Sequence, residues 1–249
     1  AAKAILASVY EGLQLPMDLG LKVESRYFAM ILRTKEAAAM IRTLFISMGE
    51  LNKGARRPKD VPATSLKKVG VVGAGFMGAG VAYVTASAGL DVVLVDQSIE
   101  AAEKGKSYTA KLTQKRVDKG QMSAEKQQGI LSLITPTASA ADLKGCDLII
   151  EAVFEELGVK EQVFKQLDEV AKPGAILASN TSYLNIDAIA GFTKRPAEVL
   201  GLHFFSPANV MRLLEVVRGA QTDPAVLATV MKLAPKIGKV AAVSGVCYG

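Results

Sequence analysis

The sequence predicts an α/β fold: a doubly wound, mostly parallel sheet preceded by a long helical linker segment. Two observations carry that expectation. From Lys67 onward, short β-branched runs alternate with helical stretches, the pattern that strand–helix–strand crossovers impose on a parallel sheet. The first of those runs passes straight into Gly73-Ala74-Gly75-Phe76-Met77-Gly78, a glycine spacing suited to a tight turn from strand into helix. The chain has 249 residues, half of them apolar, enough for one large domain with an appendage. Nothing in it approaches an uninterrupted apolar run of about 18 residues, so no membrane span is expected.

Residues 1–51 read as helical. Val23, Tyr27, Ile31 and Leu32 share a stripe, and Ile41, Leu44, Phe45 and Met48 continue at helical intervals. Pro16 and the early acids Asp18 and Glu24 suit a helix start or a break. A stripe with no sheet to cover packs on another domain. Residues 52–66 hold Gly54, Pro58, Pro62 and the basic Arg56, Arg57 and Lys59, the composition of a linker. Residues 67–249 form the α/β domain. Strands are expected at Val69–Val72, Val92–Val95, Leu131–Thr135, Leu148–Ile150, Ala175–Ala178 and Val199–Phe205, with a further strand-like run Met211–Val217. The longest helix runs from Ile99 to about Gly120. No secretory signal is legible in Ala1 to Tyr10. The start at Ala1 and the stop at Cys247-Tyr248-Gly249 both read as cut ends.

The two cysteines, Cys146 and Cys247, lie far apart, and there is one histidine. That arrangement suits two free thiols rather than a disulfide framework or a zinc site, and no metal is expected. The net charge of +6 fits attraction of a polyanionic small ligand. With no basic cluster interleaved with aromatics, nucleic-acid binding is not expected.

Each glycine of the 73–78 loop has a mechanical task in a dinucleotide site. Gly73 makes the turn, Gly75 lets the backbone approach a pyrophosphate, and Gly78 permits close helix-to-strand contact. The diphosphate then meets free N–H groups at a helix N-terminus. A second strand ends at Asp96, close to the acidic position expected about 20 residues further on. Its carboxylate would accept hydrogen bonds from the adenine ribose and repel a 2′-phosphate, which favours NAD over NADP. The predicted fold is therefore Rossmann-type.

Hydride transfer from an alcohol leaves a proton to remove, so a general base is wanted. His203 is the only histidine, on the apolar run before Ser206-Pro207-Ala208-Asn209. If that run and Met211–Val217 fold back on each other near Asn209, His203 and Glu215 fall opposite one another, within contact range. A carboxylate there would orient the imidazole and fix its tautomer. Ser182 follows a buried strand at the carboxyl end of the sheet. A substrate contact and a helix N-cap are both open to it.

These blocks resemble the L-3-hydroxyacyl-CoA dehydrogenases of fatty-acid β-oxidation. The resemblance covers Lys67 to Gly249 in correct order: the Gly73–Gly78 loop, Asp96, Glu151-Ala152-Val153-Phe154-Glu155, Ser179-Asn180-Thr181-Ser182, and His203-Phe204-Phe205-Ser206-Pro207 through Leu214-Glu215. It is closest to the bifunctional and multifunctional enzymes, peroxisomal and bacterial, that fuse enoyl-CoA hydratase to this dehydrogenase. Ser25-Arg26-Tyr27-Phe28 and the helix through Met48 resemble the connecting hydratase tail. The resemblance implies that NAD-dependent oxidation of (S)-3-hydroxyacyl-CoA to 3-oxoacyl-CoA uses His203 as base, Glu215 as its partner, and Ser182 on the reacting 3-oxygen. It further implies a cofactor-binding set of Gly73, Gly75, Phe76, Met77, Gly78, Asp96, Ala152, Val153, Glu155, Lys160 and Asn180. Ser206 stands where many members carry Asn, a subgroup variation.

The family continues past Tyr248-Gly249 into a Gly-Phe-x-x-Asn-Arg motif and helical C-terminal domains that complete the acyl-CoA cleft. Its hydratase and C-terminal domains are thus the expected intramolecular partners. The chain alone is expected to bind NAD and to turn over poorly. Location follows the source: cytoplasmic in a bacterium, peroxisomal in a eukaryote. Two rivals remain. Another β-hydroxyacid dehydrogenase would use a catalytic lysine after the sheet, and Lys160 lies too early. A non-catalytic NAD-binding or interdomain scaffold module leaves the spacing of His203 and Glu215 without a purpose.

Overall fold

A computed structural model describes residues 1–247, which fall into two compact units, Ala1–Ala55 and Arg56 onward. The sequence places the end of the helical segment at residue 51. The observed division lies at 55/56, and the chain between there and the first strand goes with the sheet. Leu66 is buried in the sheet's core, and the Thr64 N–H donates to Thr229 Oγ1 at 3.0 Å.

The first unit is helical throughout: α1 (Ala2–Gly12), α2 (Met17–Leu32), α3 (Lys35–Ile41), a π-helical stretch (Arg42–Ser47) and α4 (Met48–Asn52). Pro16 is the residue that precedes α2, and the Thr34 hydroxyl caps α3 by accepting from the Ala37 N–H at 3.2 Å. α1 and α2 are joined by Arg26 on Glu11 at 2.5 Å, and the Tyr27 hydroxyl also donates to Glu11. Of its large or small apolar side chains, only Ala4 and Val23 are buried, while Leu13, Met17, Phe28 and Phe45 lie open. The stripe expected through Leu44 and Phe45 falls on the π-helical stretch, where both residues are exposed. A wider turn rotates side chains off a 3.6-residue register.

The second unit is an eight-stranded sheet in the order β3-β2-β1-β4-β5-β6-β7-β8. Its strands are β1 (Lys68–Val72), β2 (Asp91–Val95), β3 (Ile134–Thr137), β4 (Leu148–Glu151), β5 (Ile176–Ser179), β6 (Val199–Phe204), β7 (Leu213–Arg218) and β8 (Val240–Gly245). β1 to β6 are parallel; β7 turns back antiparallel to β6, and β8 runs parallel to β7. The strands read as near-continuous apolar runs because helices cover both faces. Val69, Val71, Leu94, Ile149, Ile150 and Leu177 are fully buried. The helices are α5 (Phe76–Ser87), α6 (Ile99–Asp118), α7 (Ala124–Ser132), α8 (Leu157–Val170), α9 (Ile186–Ala190) and α10 (Pro224–Lys236). Among the described residues no helix is long and apolar enough to cross a membrane.

The run Leu131–Thr135 is not one strand. Leu131 lies in the last turn of α7, whose first turn is capped by Ser123 accepting from the Lys126 N–H at 3.2 Å, and pairing starts at Ile134. β3 then carries Pro136, which an edge strand tolerates. β8 and α10 lie beyond the strands read from the sequence; β8 makes the sheet's second edge.

The β1–β4 junction positions the site. β1 leads out to β2 and β3 on one side, and β4 leads to β5 and β6 on the other. Carboxyl ends on either side of such a switch point leave a crevice for a ligand.

Candidate active site

The glycine loop joins β1 to α5, and its three glycines differ in what their surroundings demand. Gly73 has φ +96, a left-handed conformation, and a Cβ there would lie 2.6 Å from the Ala152 carbonyl oxygen. A Cβ on Gly78 would lie 1.7 Å from the Gly73 carbonyl oxygen. Gly75 is otherwise. Its φ is −63, and a Cβ there would meet no atom within 4 Å. Neither backbone nor packing calls for glycine at 75, so the open volume above it suits a group that approaches the main chain closely. A pyrophosphate on the first turn of α5 is such a group.

Asp96 follows β2 and is itself held by main chain. One carboxylate oxygen accepts from the Ala74 N–H at 2.6 Å, the other from the Gln97 N–H at 2.7 Å. Around them lies a cavity of about 700 Å³, lined by Gly73, Gly75, Phe76, Asp96, Gln97 and α8 residues such as Val163. Met77, Ala152 and Val153 line both this cavity and a second of about 370 Å³, so the two form one cleft. Phe76 is exposed and meets the Tyr108 ring edge-on, centroids 5.9 Å apart.

The second cavity holds the candidate chemistry. The antiparallel register pairs His203 on β6 with Glu215 on β7, and His203 Nδ1 lies 2.7 Å from Glu215 Oε2. The Phe205 ring packs against the imidazole, centroids 4.4 Å apart. Nδ1 is engaged, which leaves Nε2 as the nitrogen available to a ligand. Ser182 and Asn180 line the same cavity from the end of β5. Asn180 Oδ1 accepts from the Phe204 N–H at 2.8 Å, tying β5 to the strand that carries His203. Ser182 caps no helix. Asn185 caps α9, accepting from the Asp187 and Ala188 N–H groups.

Beneath Ser182 is a group of buried charges that sequence reading recovers only in part. Lys160 and Glu155, both in the cofactor-binding set that the resemblance implies, border the cavity. The Lys160 ammonium, however, is committed elsewhere. It lies 2.7 and 3.0 Å from the two oxygens of Glu151 and 3.1 Å from Glu155. Its three protons are thereby used within the protein. Glu151 was not among the expected site residues. It is fully buried at the end of β4 and accepts also from Ser179 Oγ at 2.6 Å and the Val153 N–H at 2.8 Å. The available signal is an acid closing the buried run Leu148-Ile149-Ile150, since a charge at such a place needs a partner. Glu155 accepts from the Thr181 hydroxyl, from the Ser182 N–H at 2.8 Å, and weakly from Ser182 Oγ at 3.4 Å. Burial pushes the Glu155 carboxyl up, but the Thr181 hydroxyl, the Ser182 N–H and Lys160 together outweigh it and hold the pKa below the ordinary value.

A glycine turn under an open volume, a carboxylate beside it and a histidine–carboxylate pair along one crevice fit a dinucleotide-binding domain of the dehydrogenase class. The chain belongs to the 3-hydroxyacyl-CoA dehydrogenase NAD-binding domain family, whose pattern matches residues 68–247, and its cofactor is NAD. It is 38% identical to the human peroxisomal bifunctional enzyme, over all of this chain and 35% of that one. It is 37% identical to the fatty acid oxidation complex subunit alpha of Psychrobacter arcticus, over 98% of this chain and 34% of that one. The chain thus spans about a third of the length of these curated relatives. Among solved structures, 3-hydroxybutyryl-CoA dehydrogenase from Escherichia coli is similar at 39% identity and a TM-score of 0.72, covering 74% of this chain and 39% of that one. The part of the resemblance that reaches Tyr248 and Gly249 lies outside the described residues.

Proposed function

We propose that the whole protein oxidises (S)-3-hydroxyacyl-CoA to 3-oxoacyl-CoA, with His203 as general base, Glu215 as its partner and Ser182 on the reacting oxygen. The observation that carries this reading is the 2.7 Å contact of His203 Nδ1 with Glu215 in the cavity that Ser182 also lines. Bound NAD supplies the hydride acceptor. His203 Nε2 takes the proton of the 3-hydroxyl, and the Glu215 carboxylate accepts from Nδ1–H, which fixes the tautomer and holds the ring when it becomes a cation. The Ser182 hydroxyl donates to the same 3-oxygen as carbonyl character develops. Its backbone N–H is taken by Glu155, and the 3.4 Å approach of its hydroxyl to that carboxylate is weak enough to leave the proton for a ligand. Along the nucleotide half, Gly75 admits the pyrophosphate and Asp96 meets the adenine ribose, while Met77, Ala152, Val153 and Asn180 border the reacting end.

The wider setting follows from the family resemblance; the relatives' names, a peroxisomal bifunctional enzyme and a fatty acid oxidation complex subunit alpha, support it. An enoyl-CoA hydratase domain before this segment and C-terminal helical domains after it are the proposed intramolecular partners. The setting is a bacterial cytoplasm or a peroxisome. The open apolar faces of α1 and α2 fit a segment that a further domain covers.

The test is 3-oxoacyl-CoA reduction by NADH in the full-length protein, with and without His203→Gln. The expected loss is about 10²- to 10⁴-fold in kcat with NADH affinity unchanged. A wild-type protein that binds NADH tightly but acts on free hydroxy acids and not on CoA thioesters would refute the substrate class.

A further inference from the structure

We infer that Lys239 is a positioning residue: it anchors the β6–β7 loop and so sets the place of the His203–Glu215 pair relative to the dinucleotide helix. The inference rests on the function proposed above. Lys239 lies between Gly238, which follows α10 with φ +73, and the first residue of β8. Its side chain is 6% exposed, yet its ammonium partners are main-chain carbonyls, those of Ala208 and, at 2.5 Å, Met211. The aromatic ring nearest it is Phe204, its centroid 5.9 Å from the ammonium. Burying a charge without a counter-charge is costly, and burial pushes the Lys239 pKa down. An apolar side chain would fill the volume without that cost. The charge is therefore explained by what it holds.

What it holds is the segment between the two strands of the catalytic hairpin. Phe205 and Ser206 at its start line the cavity beside His203. Three elements fix its middle. Ala208 is buried against α5, so close that a Cβ on Gly80 would lie 3.0 Å from the Ala208 Cβ. The Tyr108 hydroxyl on α6 donates to Asn209 Oδ1 at 3.1 Å. Lys239 takes the Ala208 and Met211 carbonyls, and the Val240 N–H beside it donates to the Arg212 carbonyl at 2.8 Å. α5 is the helix whose first turn faces the pyrophosphate. The loop thus joins the base to the dinucleotide site through Ala208, and Lys239 is the buried clamp that keeps Ala208 seated. Displacement of a reacting group by about 1 Å can lower a rate about 100-fold.

The experiment compares wild type, Lys239→Met, Tyr108→Phe and the control Gln127→Leu in the full-length protein. Gln127 lies in the α6–α7 polar network, away from the loop, and its loss lowers stability without touching the hairpin. For Lys239→Met the expected result is a fall of roughly tenfold or more in kcat, with KM and the NADH dissociation constant within about twofold, read well below the melting temperature. Tyr108→Phe releases the same loop from its outer side and is expected to show the same split at about two- to fivefold. Gln127→Leu, at comparable stability loss, is expected to keep wild-type kcat. If either folded loop variant keeps wild-type kcat, or the control loses as much, the inference is overturned. If Lys239→Met does not fold, Tyr108→Phe alone decides it. Wild-type protein inactive on 3-oxoacyl-CoA would instead defeat the proposed function, which separates the two failures.

Discussion

At the proposed dinucleotide end of the cleft the groups on offer are main-chain atoms of one turn, Gly73 to Gly78, with a single carboxylate beside them. At the proposed reactive end they are side chains from β4, β5, β6, β7 and α8, which come together only when the sheet is complete. The first end can be written into six consecutive residues because a glycine turn is a local object. The second depends on strand register, on a twelve-residue separation across a hairpin, and on buried ions with partners as far as 28 residues away. Local construction makes a site tolerant of changes elsewhere and intolerant within the turn. Distributed construction does the reverse: it spreads sensitivity over residues that never meet a ligand.

The largest effect tests the turn against itself. Gly78→Ala places a methyl carbon where the Gly73 carbonyl oxygen already sits, at 1.7 Å. It is expected to destabilise the α/β unit by more than about 4 kcal/mol, among the severest single substitutions. Gly75→Ala meets no protein atom, so its melting free energy should stay within about 1 kcal/mol of wild type, the scale of an N-cap change. NADH affinity should nonetheless fall at least about tenfold, or 1.4 kcal/mol. Denaturation and NADH titration of the two variants read both quantities. Equal NADH binding by Gly75→Ala would mean that the opening is not where the pyrophosphate lies.

The reactive end is probed by acid. Glu155 has its folded pKa held below the ordinary carboxylate value; burial opposes this, and the Thr181 hydroxyl, the Ser182 N–H and Lys160 outweigh it. Its contribution to stability is therefore fully present above the unfolded-state pKa and is lost as pH falls through the lowered folded value. Glu155→Gln should cost about 2 kcal/mol at pH 7, the scale of hydrogen bonds to a charged group. The gap between mutant and wild-type melting temperatures should narrow on acidification below the normal carboxylate range. A gap independent of pH would place the carboxylate's contribution in shape rather than charge.

The same contrast explains what the sequence makes legible. The parallel sheet was readable because strands buried on both faces are written as short β-branched runs, as in Val69 to Val72 and Leu148 to Ile150. His203 opposite Glu215 was readable because a hairpin converts spacing into register. Glu151 was not, since the β4–α8–β5 crossover brings Lys160 and Ser179 to it and no local period marks them. β3 was misplaced because Leu131 fits a helix end as well as a strand, and Ser123, eight residues upstream, decides the matter as a cap. Lys239 looks like an ordinary surface lysine in a basic stretch; only the fold shows that it is buried.

Asp96 is the one charged side chain lining the proposed dinucleotide end, and it offers the finest test of the contrast. Its carboxylate is oriented by the Ala74 and Gln97 N–H groups, so Asp96→Asn keeps an acceptor for the turn while removing the charge. Repulsion between that charge and a ribose 2′-phosphate about 4 Å away is worth about 1 kcal/mol in well-solvated surroundings. The NADH-over-NADPH preference should therefore fall about five- to tenfold in Asp96→Asn, mostly through tighter NADPH binding. Parallel titrations at low and high salt sharpen the reading, because screening should shrink the wild-type preference and leave the variant's nearly unchanged. A preference that survives the substitution would assign selectivity to the shape of the turn, and the dinucleotide end would then be main chain throughout.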